Sequence, residues 1–179
     1  MKERDGYGLL VVDIQGKLAR LVNESDRLIA NTSRLVKGAK ALGLPVVWLE
    51  QNPDKLGATV PELQPLQTGS PVLPKFSFGA LGEPQVAAVL AESGVRHWLV
   101  CGIEAHICVY QSVLGLLGNG ARVSLVTDAV SSRDPANRAL AIGQLAARGA
   151  ALTSVEMCLY ELLGDCRDPA FREILALVR

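Results

Sequence analysis

A run of six apolar residues, Tyr7 to Val12, closed at once by Asp13, is the feature that most restricts how this chain can fold. It is too short for a buried helix and lacks the alternation of a strand with one wet face. It therefore reads as a strand buried on both sides, as in a parallel sheet. Pro45 to Leu49, His97 to Cys101, Val123 to Thr127 and a short stretch near Ala151 to Thr153 read as further strands. Between them the apolar spacing becomes helical. Leu28, Ile29, Leu35, Val36, Ala39 and Leu42 share one face, and Gly43 closes that helix. Pro84 opens a second helix that runs to about Ser93, and Ala105 to Leu117 forms a third after Gly102 breaks the preceding strand. Further helices span about Pro135 to Arg148, Val155 to Leu163 and Pro169 to Val178. Strands alternating with helices predict an α/β fold with a parallel sheet, helices on both faces and right-handed crossovers. Glu50 to Pro74 interrupts the alternation with five prolines, at 53, 61, 65, 71 and 74, and reads as a long ordered excursion of the kind that carries function.

The chain has 179 residues, 49% hydrophobic and 20% charged, which suits one well-filled core and predicts a single domain over 1–179. Lysine plus arginine balances aspartate plus glutamate at 18 each, with no long basic run, so neither nucleic acid nor an anionic membrane is an expected partner. The start, Met1-Lys2-Glu3-Arg4-Asp5, leads into an apolar run too short for a signal peptide or a membrane span. Four cysteines, at 101, 108, 158 and 166, show no CxxC and no metal-finger spacing, which fits reduced thiols in a cytoplasmic protein. His97 and His106 are the only histidines, too few for a multi-histidine metal site.

In open parallel sheets ligands bind at the carboxyl ends of the strands, near a switch in strand order. Asp13 ends the first strand, Lys75 follows the proline-rich excursion, and Cys108 falls in the first turn of the helix after the His97 strand. All three can reach one crevice. A thiol in a first helical turn faces unpaired N–H groups and the positive helix end, which can lower its pKa from about 8.5 to roughly 3.5–7.5. Each residue also has a plainer reading: Cys108 as an inert packed thiol, Asp13 as a helix cap, Lys75 as a solvated surface lysine.

Leu9-Leu10-Val11-Val12-Asp13-Ile14-Gln15, Pro74-Lys75-Phe76-Ser77 and Gly102-Ile103-Glu104-Ala105-His106-Ile107-Cys108-Val109 together resemble the three signature segments of the isochorismatase-like cysteine hydrolases, in matching order. The resemblance runs from about Gly8 to Val178, through Val126-Thr127-Asp128-Ala129-Val130. It implies a three-layer, six-stranded parallel sheet in the order 3-2-1-4-5-6 and assembly into dimers, tetramers or larger homo-oligomers. It also implies a triad of Asp13, Lys75 and Cys108, an oxyanion hole of the Glu104 and Cys108 backbone N–H groups, and a cis peptide between Ile103 and Glu104. Gln15, Leu18, Phe76, Phe78 and Ile103 are the expected pocket residues, core packing being the alternative for the two phenylalanines. Nicotinamidases of this superfamily bind a metal beside the pocket with an aspartate and histidines. Here that region is Glu50-Gln51-Asn52-Pro53-Asp54, so no metal and no cofactor are expected. Gly16-Lys17-Leu18 stands where the family often has Asn-Asp-Phe. With Tyr160-Glu161-Leu162-Leu163-Gly164-Asp165 late in the chain, this places it with the less characterised, metal-free branch.

The chemistry follows from the residue types. A thiol attacking an acyl carbon needs a base beside it, and a carboxylate can take that proton and return it to the leaving group. The expected activity is a hydrolase, a C–N amidohydrolase in kind, cleaving a small amide or related acyl compound through a thioester on Cys108. Asp13 is the general acid/base and Lys75 its electrostatic partner. Glu104 can pair with a neighbouring arginine and needs no side-chain role. His106, two residues from Cys108, points to another side of the helix. A thiol redox protein and a catalytically silent oligomeric scaffold are the alternatives.

Overall fold

Alternate side chains along the apolar runs enter two different cores, which makes these runs central strands. In the computed structural model, which describes residues 4–179, Leu9 and Val11 pack on one side of the sheet and Leu10 and Val12 on the other. The expected start at Met1 to Glu3 lies outside the described residues. The strands are β1 (Tyr7–Val12), β2 (Val46–Gln51), β3 (Val72–Lys75), β4 (His97–Ile103), β5 (Arg122–Ser131) and β6 (Ala151–Thr153). They form one six-stranded sheet, parallel throughout, in the order β3-β2-β1-β4-β5-β6.

Helices cover both faces. On one side α1 (Leu18–Leu21), α2 (Ser25–Ala41), α7 (Val155–Leu163) and α8 (Phe171–Val178) contribute to the core with Leu9, Trp48, Leu99 and Cys101. On the other, α4 (Pro84–Glu92), α5 (Tyr110–Gly118) and α6 (Pro135–Ala147) pack on Leu10, Val47, Trp98 and Val100. The short α3 (Pro53–Leu56) lies between β2 and β3. Along α2 the buried Leu28, Thr32, Leu35, Val36 and Ala39 recur at three- and four-residue steps. Each large aliphatic side chain so buried contributes roughly 1.5–3 kcal/mol. Asp134 accepts a hydrogen bond from Ala136 N at 2.8 Å to start α6, and Gly164 at φ +70° ends α7.

Three expectations need correction. The proline-rich excursion closes in a strand: Val72 to Lys75 pair with Trp48 to Gln51 as β3. Pro74 hid it, because proline is tolerated only at a sheet edge, and β3 is an edge strand. Gly102 does not break its strand, which continues to Ile103. It sits at φ +121° beside β1, where an added Cβ would stand 2.0 Å from the Val12 carbonyl oxygen. β5 runs on from the expected Thr127 to Ser131, past an irregularity in its pairing with β4.

Gly102→Ala should therefore be strongly destabilising, since the clash is with backbone and the dihedral is hostile to a side chain. A loss of more than about 2 kcal/mol is expected in denaturant unfolding, or failure to fold; an unchanged midpoint would contradict this close approach.

Candidate active site

The carboxyl ends of four neighbouring strands supply the site. Strand order reverses between β1 and β4, and their following segments part there to leave a crevice. Asp13 leaves β1 at φ +52°, its N–H bonded to the Leu49 carbonyl at 3.1 Å. Gln51 and Lys75, the last residues of β2 and β3, are register partners. After β4 the Ile103–Glu104 peptide is cis, and a wide π-helical turn, Ala105–Val109, carries Cys108 before α5 begins.

The geometry is tight and dry. Asp13 is 1% and Lys75 0% exposed. Lys75 Nζ lies 2.8 Å from Asp13 Oδ2 and donates to Gln51 Oε1 at 2.6 Å, Phe78 O at 3.0 Å and Ser77 O at 3.2 Å. The contact of Asp13 with the ammonium is chiefly coulombic, with smaller hydrogen-bond contributions from Lys75, the Cys108 thiol and the Gln51 main chain. Burial raises the Asp13 pKa and the Lys75 charge offsets part of that rise. The Cys108 thiol is pushed up to about 12, first by burial and then by the Asp13 carboxylate, with Lys75 pulling the other way. This reverses the expectation from helix position: loss of solvent and a facing carboxylate outweigh the backbone dipoles. Asp13 and Cys108 each shift the other, so their protons belong to the pair.

A cavity of about 120 Å³ opens on this cluster, lined by Asp13, Leu18, Gln51, Leu56, Phe78 and Cys108, with Ile103, Glu104 and Ile107 completing it. A larger one, about 410 Å³, opens at the opposite edge of the sheet between Arg96, Trp98 and Arg122, but no nucleophile or general base faces it. We therefore assign the chemistry to the smaller. Of the expected pocket residues, Leu18, Phe78 and Ile103 line the cavity. Gln15 and Phe76 stand outside it. Gln15 is fully buried and spends its amide on Gln51 and on the Gly57 carbonyl, at 2.6 Å, tethering the loop that carries Leu56. Phe76 is 66% exposed and Phe78 55%, so neither is core. Glu104 accepts from Arg133 N and Nε, both at 3.0 Å, which is the structural pairing expected of it. His106 Nδ1 meets Ser132 Oγ at 2.9 Å, a partner other than the thiol.

Sequence reasoning missed Gln51, Leu56, Ile107 and Arg133. Gln51 carried a readable signal, as the polar end of an apolar strand on the ligand edge. Leu56 enters only through the fold of the loop. Among the described residues no group of three or more histidine, cysteine, aspartate or glutamate side chains is arranged to hold a metal ion. Nor is any helix among them long and apolar enough to cross a membrane.

Fold and crevice together define a three-layer α/β protein of the isochorismatase-like class. The profile of the Isochorismatase domain matches residues 7–157, and the chain belongs to this family. It is 38% identical over 168 residues to isochorismatase domain-containing protein 1 of Danio rerio, covering 93% of this chain and 59% of that protein. The chain thus spans about 59% of the length of that relative. Two solved structures superpose over 97% of this chain and 89% of theirs. One, from Caenorhabditis elegans, is described as MAR1 ribonuclease, with a TM-score of 0.91 and 34% identity. The other is YcaC from Pseudomonas aeruginosa with hexane-2,5-diol and covalent acrylamide, with a TM-score of 0.92 and 26% identity.

Replacing Asp13 with asparagine removes the charge that opposes thiolate formation and leaves Lys75 to favour it. Asp13→Asn should therefore alkylate at Cys108 with iodoacetamide about tenfold or more faster at neutral pH, read on the peptide that carries Cys108 so that the exposed Cys166 does not contribute. A slower or equal rate would contradict the coupling.

Proposed function

We propose that this chain is a cysteine hydrolase that cleaves a small amide or related acyl compound, with Cys108 as nucleophile, Asp13 as general acid/base and Lys75 as its electrostatic partner. The observation that carries the reading is that Asp13, paired 2.8 Å from the buried Lys75, lines the same cavity as Cys108, the one thiol in its wall. As sulfur bonds to the acyl carbon, its proton passes to Asp13 and the carbonyl oxygen takes the negative charge. The Glu104 and Cys108 backbone N–H groups are the proposed donors to that oxyanion, each worth roughly 2.7–4 kcal/mol in known sites. Collapse of the adduct expels the amine, which leaves with the Asp13 proton, and a thioester remains. Water then attacks the thioester, Asp13 takes its proton and returns it to sulfur, and the carboxylic acid departs. A raised Asp13 pKa suits a group that must both accept and donate near neutral pH.

The cavity narrows the substrate. About 120 Å³ holds the volume of about four waters, and its walls are mainly Leu18, Leu56, Phe78, Ile103 and Ile107. Lys75 is already surrounded by four oxygens, and among the described residues no lysine or arginine lines the cavity. This favours a small neutral acyl compound over a carboxylate. The Pseudomonas aeruginosa relative is described with covalent acrylamide, a small neutral amide of the kind proposed here. Exposed Phe76 and Phe78 beside the cavity favour a homo-oligomer in which a second copy covers them, and four free cysteines favour a cytoplasmic setting.

A redox role for Cys108 is less favoured, because among the described residues no second thiol lines its cavity. Cys101 and Cys158 lie in the core on the opposite face of the sheet, where burial pushes both thiols up, Cys158 to about 12.

Cys108→Ala should abolish turnover across a panel of small amides while the unfolding midpoint stays within a few degrees of the parent. RNA belongs in the panel, because one relative is described as a ribonuclease. Retained turnover would end the proposal. Charge selection is checked separately with iodoacetamide and iodoacetate, which differ little in size. Normalised to a small free thiol, Cys108 should prefer the neutral reagent by about tenfold or more, since like charges brought together cost several kcal/mol. Equal normalised rates would remove the charge argument.

A further inference from the structure

The end of β2 places a neutral amide where the two charged groups and the sulfur meet. Gln51 Oε1 lies 2.6 Å from Lys75 Nζ and 3.9 Å from Cys108 Sγ, the latter at the outer reach of a thiol hydrogen bond. Its Nε2 donates to the Phe76 carbonyl at 2.9 Å. That contact settles which way the amide faces: with its ends exchanged, an NH₂ would confront an ammonium and an oxygen would confront a carbonyl. The backbone is held as well. Gln51 N donates to Gln15 Oε1 at 2.6 Å, and Gln15 Nε2 donates to Gln51 O at 3.1 Å. These two bonds use the main chain of residue 51, so they survive a change of its side chain.

A carbonyl oxygen aimed in this way has two effects. It joins Asp13 Oδ2 and the Ser77 and Phe78 carbonyls around Lys75, giving four oxygens for three ammonium protons. Lys75 is thus fixed against Asp13, with its charge and a weak hydrogen bond still reaching the sulfur. The negative end of the amide dipole also faces Cys108, which favours S–H over thiolate. The charged and titratable groups around that sulfur are Asp13 after β1, Lys75 at the end of β3, Glu104 after β4 with its Arg133 partner, and His106, engaged with Ser132. Gln51 is the neutral dipole among them.

We propose that Gln51 is a positioning residue of the hydrolytic site, holding the Lys75 ammonium against Asp13 and keeping the proton on Cys108 until an acyl carbon arrives. This rests on Cys108 being the nucleophile. In the attack step the proton moves to Asp13 as the sulfur–carbon bond forms, so no free thiolate has to stand beside the Gln51 oxygen.

Two replacements of opposite electrostatic sense test it. Gln51→Met keeps the length and removes the dipole; Gln51→Glu keeps the shape and adds a charge. Iodoacetamide alkylation of Cys108 is followed by mass spectrometry of the peptide that carries it, which separates it from the exposed Cys166, across neutral and alkaline pH. The Met variant should move the profile to lower pH and react several-fold faster at neutral pH. The Glu variant should move it to higher pH and react about tenfold more slowly, the scale expected of a like charge at this distance. For an amide that the parent turns over, kcat should fall in both, with KM little changed. A packing role alone would shift both profiles the same way or neither, and either result overturns the proposal. If Gln51→Met fails to fold, the isosteric Gln51→Glu decides by itself: its profile moves up or the proposal fails. Alkylation needs no substrate, so the outcomes separate. Turnover that survives Cys108→Ala ends the hydrolase reading, whereas unmoved profiles with Cys108-dependent turnover end only the role of Gln51.

Discussion

A lysine ammonium and an aspartate carboxylate, 2.8 Å apart and almost wholly out of solvent, form the contact around which the ligand edge of this protein is arranged. Burying two charges is costly, and their mutual attraction repays that only when the remaining protons and lone pairs find partners. For Lys75 they do, through Gln51 and two main-chain carbonyls of the segment just after β3. For Asp13 the partners are weaker: Lys75, the Cys108 thiol and the Gln51 main chain lower its pKa, but not enough to offset burial. Removing the lysine would leave an uncompensated buried carboxylate, at a cost of roughly 3–5 kcal/mol.

The pair exists because of sheet register. Lys75 faces Gln51 across β3 and β2, Val12 faces Leu49 across β1 and β2, and Asp13 is the next residue. Three consecutive strands therefore present carboxylate, amide and ammonium in a row along one edge. Cys108 reaches the same place from the far side of the strand-order reversal, through the segment that follows β4. Gly102 lets β4 approach β1 closely enough for the two halves to meet, and Gly16, at φ +44° with its α-carbon against the Leu56 carbonyl, lets the α3 loop close over the crevice. The tether from Gln15 to Gln51 and Gly57 ties that loop to the same edge.

What could be read from sequence follows from period and punctuation. The apolar run at Leu9 to Val12 and the spaced apolar face of α2 are local patterns, and they survive into the structure because nothing tertiary opposes them. β3 was illegible because its four residues include a proline and expose two of their side chains, as edge strands do. Gly102 looked like a stop because its left-handed conformation serves a neighbouring strand, and that neighbour is about 90 residues away in sequence. Phe76 looked like a pocket wall from its place beside Lys75, yet successive residues of an extended segment face opposite ways and it faces solvent.

Sequence alone determined the α/β class, five of the six strands of the sheet, the segments that would carry a carboxylate, an ammonium and a thiol to the ligand edge, and the family resemblance. These depend on residue type and local spacing. Tertiary structure decided how those groups are charged and who holds them: that Lys75 is sealed from water, that the Cys108 thiol is pushed up when a helix end suggested down, and that Gln51 stands between them. The reason is that desolvation and coulombic coupling are set by what surrounds a group in three dimensions, and here the surroundings come from four strands far apart along the chain.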